Sequence, residues 1–127
     1  MKALLTNYHQ SPRKVRLVAD LIRGKSVPAA RQALMFFPKK SSPAISKLLD
    51  SAVANARATG STPEQLFVKK ITVDKGAVMR RARPFARGRS GTIRKEMSIV
   101  FLELGMANAA PAKKAARKTA AKKVATK

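Results

Sequence analysis

The sequence has no cysteine and no tryptophan, and acids are scarce, with 6 Asp and Glu against 28 Lys and Arg in 127 residues. Without cysteine, disulfides and thiolate metal sites are excluded. The chain also lacks a signal-like start and an apolar run of about eighteen residues, which indicates a cytoplasmic protein with no membrane span. The net charge of +22 predicts a polyanionic partner and no small-molecule substrate.

The few titratable residues form no catalytic pattern. His9 is the only histidine, and the six acids are scattered, with no pair at metal-ligand spacing on one helix face. The stretch ARGRSG is not a nucleotide-binding loop, because no helix start with Lys-Ser or Lys-Thr follows it. We therefore expect no enzymatic activity, no metal and no cofactor.

Serine and proline together mark three helix starts in the first half of the chain. In each case a serine that can cap free amides is followed within two residues by a proline suited to the first helical turn. Apolar residues then recur at helical spacing until a glycine or proline stops the pattern. The expected caps are Ser11, Ser26 and Ser42, and the expected stops are Gly24, Pro38 and Gly60.

After Pro63 the pattern changes to that of β-strands. QLFVKKITV and MSIVFLEL are rich in β-branched and aromatic residues and predict two antiparallel strands, with Phe67, Ile71 and Val73 facing one side. If residues 67–102 form one hairpin, each arm reaches roughly 55–60 Å at ~3.3 Å per residue. Gly88 and Gly91 are both candidates for the turn.

The last part of the chain has a different composition. Its apolar residues are mostly alanine, which buries too little surface to offset the entropy of ordering. We expect a domain at 1–106 and a disordered Ala/Lys-rich tail at 107–127. The predicted fold is α+β, with a three-helix compact body packed on a small antiparallel sheet, a long protruding β-hairpin and this disordered basic C-terminal tail.

The hairpin carries the strongest functional signal. MRRARPFARGRSGTIRK contains six arginines and one lysine without an acid, and the planar arginine side chain pairs with phosphate in a bidentate way and stacks on bases. Charge that only protects a sheet edge from aggregation would need one or two lysines. The tail prefers lysine, which is typical of general charge neutralisation.

A second basic cluster lies at the start of the first helix. Arg13, Lys14 and Arg16 stand where the helix dipole disfavours cations, so an anion site is expected there. For other cations the sequence leaves two explanations open, nucleic-acid binding and a local structural role. Arg23 and Lys25 suit the C-terminal end of that helix, and Lys39 and Lys40 precede the cap of the third helix. Phe85 is equally open, either to stacking on a base or to packing between the two strands.

Four blocks of the sequence resemble one family. SPRKVRLVADLIRGK, PKKSSPAISKLLDSAVANA, ITVDKGAVMRRARPFARGR and IRKEMSIVFLEL are similar, in this order, to the bacterial large-subunit ribosomal protein L-twenty-two family. The resemblance implies a structural constituent of the ribosome that binds large-subunit RNA as a monomer within the particle. It also implies a hairpin that lines the peptide exit tunnel beside ribosomal protein L-four.

The resemblance and the charge pattern together give two sets of site residues. The tunnel-lining set is the expected hairpin tip: Phe85, Ala86, Arg87, Gly88, Arg89, Ser90 and Gly91. The RNA-binding set consists of Ser11, Arg13, Lys14, Arg16, Arg23, Lys25, Lys39, Lys40, Arg80, Arg81, Arg83, Arg87, Arg89, Arg94 and Lys95.

The chain departs from the family pattern at three places. Phe85 stands where a basic residue is common, Glu96-Met97-Ser98-Ile99 replaces a more basic run, and the tail is not shared. The alternative function is that of a histone-like protein that compacts DNA, which the Ala/Lys tail favours and the arginine-dense hairpin does not.

Overall fold

All three predicted helices are present in the structure, a computed structural model that describes residues 1–106. They are α1 (Pro12–Ile22), α2 (Val27–Phe36) and α3 (Ser42–Ala58), and each has a proline in its first turn. Gly24 and Gly60 follow α1 and α3 with φ of 74° and 82°, a left-handed conformation that glycine adopts without strain. The prediction for the tail lies outside the described residues.

The predicted serine caps are only partly right. Ser11 and Ser26 occupy the N-cap positions with extended backbone, but neither side chain makes a capping hydrogen bond. For α3 the prediction was wrong by one residue, because Ser41 is the N-cap. Ser42 is already helical, and its hydroxyl donates a hydrogen bond to the carbonyl of Phe37 at 2.9 Å. This bond fixes the connection between α2 and α3.

The sheet has one strand more than predicted. Its antiparallel strands are β1 (Lys2–Tyr8), β2 (Leu66–Pro84) and β3 (Ser90–Met106), in the order β1-β3-β2. β1 was missed because its one buried side chain, Ala3, is a weak strand former, and because an irregularity near Asn7 at φ 54° interrupts its register. The long β3 therefore runs through the centre of the sheet.

A bulge corrects the predicted face of β2. Val68 pairs with Leu104, whereas Lys70 pairs with Glu103, so Lys69 is one extra residue. An inserted residue reverses the alternation of side chains, and Val68 therefore shares the inner face with Ile71 and Val73. Phe67, predicted on that face, lies on the other face, where its ring is close to the backbone of Gly105.

The core lies between the helices and the inner face of the sheet. Fully burying a side chain of this size contributes about 1.5–3 kcal/mol relative to leaving it exposed. The largest fully buried side chains come from all three helices and from β2 and β3: Val15, Val18, Ile22, Val27, Ile45, Leu49, Val53, Leu66, Val68, Ile71, Val100 and Leu102.

Beyond this core, β2 and β3 continue as a protruding hairpin. We define the arm as residues 76–96, a segment in which no side chain is buried. Residues 66–75 of β2 belong to the sheet of the body, so the free part is shorter than the whole hairpin. The nine residues 76–84 extend it by roughly 30 Å at ~3.3 Å per residue. A second bulge, between Lys75 and Val78, lies where the arm leaves the body.

Candidate nucleic-acid interface

The arm carries positive charge on both of its faces. Directly paired residues of antiparallel strands point to the same side. Arg80 and Arg94 are such a pair and lie on one face, whereas Arg81 pairs with Ile93 and lies on the other face. Arg83 and Lys95 share the face of Arg81, and Arg87 and Arg89 are at the tip. An anionic partner can therefore contact the arm from either side.

The pairing of Arg80 with Arg94 is unfavourable in the isolated protein. Like charges directly opposite each other destabilise a sheet. No core residue of the arm offsets this repulsion, because every side chain from Met79 to Ser90 is exposed. The arrangement therefore does not stabilise the isolated fold.

The turn of the arm is built around Gly88. A short 3₁₀ turn covers Ala86–Gly88, and Arg87 and Gly88 both have positive φ, at 60° and 67°. The amide of Phe85 donates a hydrogen bond to the carbonyl of Arg89 at 2.8 Å and closes the loop. Gly91, the other candidate for the turn, is instead paired with Arg83 inside the strands.

The ring of Phe85 rests on the backbone of Gly91. A Cβ atom at position 91 would lie 2.0 Å from Cε2 of this ring, which is far inside contact distance. The ring nevertheless remains 60% exposed. Of the two roles that the sequence left open for Phe85, packing within the hairpin is therefore present. The outer face of the ring is still open to stacking on a base.

Gly91→Ala is expected to displace the Phe85 ring with little effect on stability. Gly91 does not have a positive φ, so alanine fits the backbone, and only the ring has to move. The change in unfolding free energy is expected to stay within about 0.5 kcal/mol, as for exposed sites. NMR contacts between the ring and strand β3 should disappear. Gly76→Ala is the control, because its Cβ meets neighbours only at 3.4 Å. Unchanged ring contacts in Gly91→Ala would contradict the predicted packing.

The N-terminus of α1 contributes a second group of cations. Arg13, Lys14 and Arg16 are exposed, and the first turn contains no acid. Nε of Arg16 donates a hydrogen bond to the carbonyl of Val73 at 3.1 Å, so this side chain also holds α1 against β2. The other nitrogens of its guanidinium group remain available for an anion.

A cleft joins the start of α1 to the base of the arm. Its volume is about 460 Å³, and Lys14, Lys40 and Lys95 reach it from three different segments of the chain. An adjoining cleft shares some of its walls and adds Arg13, Arg16 and Lys75. The structure thus brings Lys95, the last residue of the hairpin cluster, together with the basic cluster at the start of α1. The complete lining of the first cleft is His9, Gln10, Ser11, Lys14, Lys40, Met79, Lys95, Glu96 and Met97.

Two sets of hydrogen bonds hold the walls of the cleft. The buried hydroxyl of Ser98 donates to the carbonyl of Gln10 at 2.7 Å and ties the β1–α1 connection to β3. The phenol of Tyr8 lies within 2.9 Å of Oε1 of Gln10 and 3.3 Å of the carbonyl of Lys40. Burial raises the pKa of Tyr8 above its ordinary value of 10.0. The phenol has one proton and donates it to one of these two acceptors at a time.

Three of the predicted cations lie apart from this surface. Arg23 forms an ion pair with Asp20 at 2.8 Å and donates a hydrogen bond to the carbonyl of Ile71 at 3.3 Å. The carbonyl of Lys25 accepts a hydrogen bond from the amide of Val68 at 2.9 Å, which joins the end of α1 to β2. Lys39 lines neither cleft. For Arg23 in particular, the local structural explanation is sufficient.

Sequence reasoning missed several residues of the surface. Gln10, Lys75, Met79 and Glu96 line the clefts, yet none was selected as a candidate. Lys75 and Glu96 form an ion pair at 3.1 Å across the base of the arm. Opposite charges on two neighbouring strands are a signal that could have revealed this pair. The bulge beside Lys75 shifts the pairing of β2 with β3, however, so the sequence alone does not show which residues face each other.

A second ion pair on β3 lies away from the clefts. Nζ of Lys69 is 3.3 Å from Oε1 of Glu103. This hydrogen bond, together with nearby positive charge, lowers the pKa of Glu103 below its ordinary value of 4.5. Because the carboxyl is solvated, the pair is expected to contribute little to stability.

Within residues 1–106, no group of three or more His, Asp and Glu side chains is arranged to hold a metal ion. The described helices also include none that is both long and apolar enough to cross a membrane.

The fold and the surface define a small basic protein in which one side of an α+β body and a two-faced arm present cations. Its class, on this fold and surface, is that of a small basic structural protein.

Comparison with known proteins identifies the family. The model of the family described as "Ribosomal protein L22p/L17e" matches residues 3–105. "Large ribosomal subunit protein uL22" of Citrifermentans bemidjiense is 50% identical over 103 residues, which cover 80% of this chain and 93% of that protein. Its counterpart in Herpetosiphon aurantiacus is 49% identical over 98 residues, or 76% of this chain and 87% of that protein.

The chain belongs to this ribosomal protein family. The family resemblance of its four sequence blocks is therefore confirmed. The family is not enzymatic, and membership gives the chain a location in the cytoplasmic ribosome.

Proposed function

We propose that this structural constituent of the large ribosomal subunit binds and organises large-subunit ribosomal RNA. Its mechanism is neutralisation of packed phosphates, which allows RNA segments to approach one another. The body docks on RNA through the start of α1 and the cleft, and the arm extends between RNA segments. The observation that carries this proposal is the distribution of cations on both faces of an arm without a core.

The proposed contacts divide into two groups. In the first group are Arg13, Lys14, Arg16, Lys40 and Lys95, which the two clefts bring together with Ser11. Cations around the first turn of a helix, where amides already attract anions, are suited to phosphate. The second group is on the arm and its tip: Arg80, Arg81, Arg83, Arg87, Arg89 and Arg94. Arg23, Lys25 and Lys39 stay secondary candidates, because they lie outside this surface.

We further propose that the arm tip lines the peptide exit tunnel. This placement rests on the family resemblance, which puts residues 85–91 beside ribosomal protein L-four. A narrow hairpin without buried side chains has the shape needed to reach between RNA segments, and the outer face of Phe85 would give the tunnel surface an apolar point. The chain would occupy the particle as a monomer.

Two deletion variants test the proposal in cells. The first removes residues 107–127. The second replaces residues 80–94 by Asn-Gly, which can close a two-residue turn because Met79 and Lys95 are direct partners in the sheet. Each variant is followed through a high-salt sucrose gradient, since salt strips contacts that depend only on charge.

The variant without the tail is expected to remain stoichiometric with large subunits, and the variant without the arm is expected to be depleted from them. Full retention of the armless chain would overturn the proposed role of the arm. Loss of the full chain from large subunits in high salt, with a recovery on DNA that removal of residues 107–127 abolishes, would support the histone-like alternative.

A further inference from the structure

The cleft at the base of the arm has the size and the side chains of a nucleotide site. A volume of about 460 Å³ is within the range of small-ligand sites, which is about 300–1,000 Å³. Resting on the proposed RNA-binding function, we propose that this cleft receives one unpaired nucleotide of the bound RNA. Its walls select a base that carries an amino group over uracil.

The cleft contains cations that are suited to a phosphate. Lys14 comes from the first turn of α1, Lys40 from the connection between α2 and α3, and Lys95 from β3. Three cations from separate segments repel each other when the cleft is empty, whereas a phosphate between them turns the repulsion into attraction. The N-terminus of α1, whose residues Ser11 and Lys14 line the cleft, adds its partial positive charge.

The side chain of Met79 offers a surface for the base. It is 38% exposed, lines the cleft and is the direct partner of Lys95 in the sheet. The neighbouring residues Arg80 and Arg81 are charged, so an apolar side chain at this position needs a separate explanation. A thioether is polarisable and flexible and makes favourable contacts with aromatic rings.

Glu96 supplies the selectivity of the cleft. Its Oε1 is paired with Nζ of Lys75 at 3.1 Å, which leaves Oε2 to accept a hydrogen bond from a ligand. Carboxylates accept from exocyclic amino groups, as from N4 of cytosine. The single N–H donor of the uracil ring lies between two carbonyl oxygens. Because a carboxylate repels these oxygens, Glu96 accepts a hydrogen bond from uracil less favourably. Glu96 also repels phosphate, so it orients the base toward itself and the phosphate toward the lysines.

The test is an NMR titration of the full chain with free nucleotides. The methyl groups of its five methionines are labelled with ¹³C, and the Met79 signal is assigned from Met79→Leu. CMP, AMP, GMP and UMP are added at constant ionic strength, with inorganic phosphate as a fifth ligand. The three amino-bearing nucleotides are expected to shift the Met79 signal and to bind about threefold to tenfold more tightly than UMP. Phosphate alone is expected to leave that signal unchanged.

A matched pair of variants separates selectivity from charge. Glu96→Gln keeps the size of the side chain but removes the carboxylate, and it should reduce the preference over UMP to about twofold or less. Glu103→Gln removes the other lysine-paired glutamate of β3, which lines neither cleft, and it should keep the full preference. Equal loss in both variants would overturn the role assigned to Glu96.

Failure of this inference is distinct from failure of the proposed function. If no nucleotide shifts Met79, or if phosphate alone reproduces the shift, the nucleotide site is wrong. The chain can then still remain on large subunits in high salt, which the deletion experiment measures independently.

Discussion

Replacing Arg80, Arg81, Arg83 and Arg94 by glutamine should make binding to large-subunit RNA about three units less steep in a plot of log affinity against log salt. Each phosphate contact contributes about 0.9 units on duplex and about 0.7 on single strands, and four contacts are removed. The fold should not lose stability, because these side chains are exposed and the repulsion between Arg80 and Arg94 is relieved. Filter binding across a salt series measures the slope, and thermal unfolding checks the fold.

The control for this prediction is a variant with the same change in net charge. Lys2, Lys47, Arg57 and Lys70 are exposed cations of the body that line neither cleft. Their replacement by glutamine should leave most of the salt dependence in place. An equal decrease of the slope in both variants would show that net charge alone governs binding, and it would contradict a specific role for the arm.

The second large effect concerns stability, and Leu102→Ala is expected to cost about 2–5 kcal/mol of unfolding free energy. Leu102 is fully buried on the central strand β3, where it pairs with both Ala3 and Ile71. Its truncation leaves a cavity that the packed helices and strands can fill only in part. Because a domain of this size has only about 5–15 kcal/mol of stability, the midpoint of urea unfolding should fall markedly.

Ile93→Ala, on the same strand, is the contrasting variant. Ile93 is on the arm and 40% exposed, so its truncation should change the unfolding free energy by about 0.5 kcal/mol or less. A large cost at Ile93 would mean that the arm has an apolar core of its own, contrary to the division between a folded body and an arm built for binding.

The helices and the basic surface could be predicted from the sequence because their signals are local. Proline in the first turn and glycine or proline after the last are local signals, and they gave the starts and ends of α1, α2 and α3. Arginine density is likewise local, so the arm was recognised without knowledge of the register. Features that depend on one residue and its immediate neighbours were predictable.

Features set by pairing between distant segments were not predictable. The bulge at Lys69 moved Phe67 to the outer face, and no pattern in the sequence marks an inserted residue. β1 pairs with β3 across about a hundred residues, and its own side chains are weak strand signals. The cleft needs the start of α1, Lys40 and the base of the arm to meet, which only the assembled fold achieves.

Ultraviolet cross-linking in intact large subunits would test the central claim most directly. Subunits that contain the full chain are irradiated, digested with a protease that does not cleave at Arg or Lys, and searched by mass spectrometry for peptides that carry nucleotides. We predict adducts on peptides from the arm, residues 76–96, and from the start of α1. Adducts confined to residues 107–127, or none on the arm, would contradict the account.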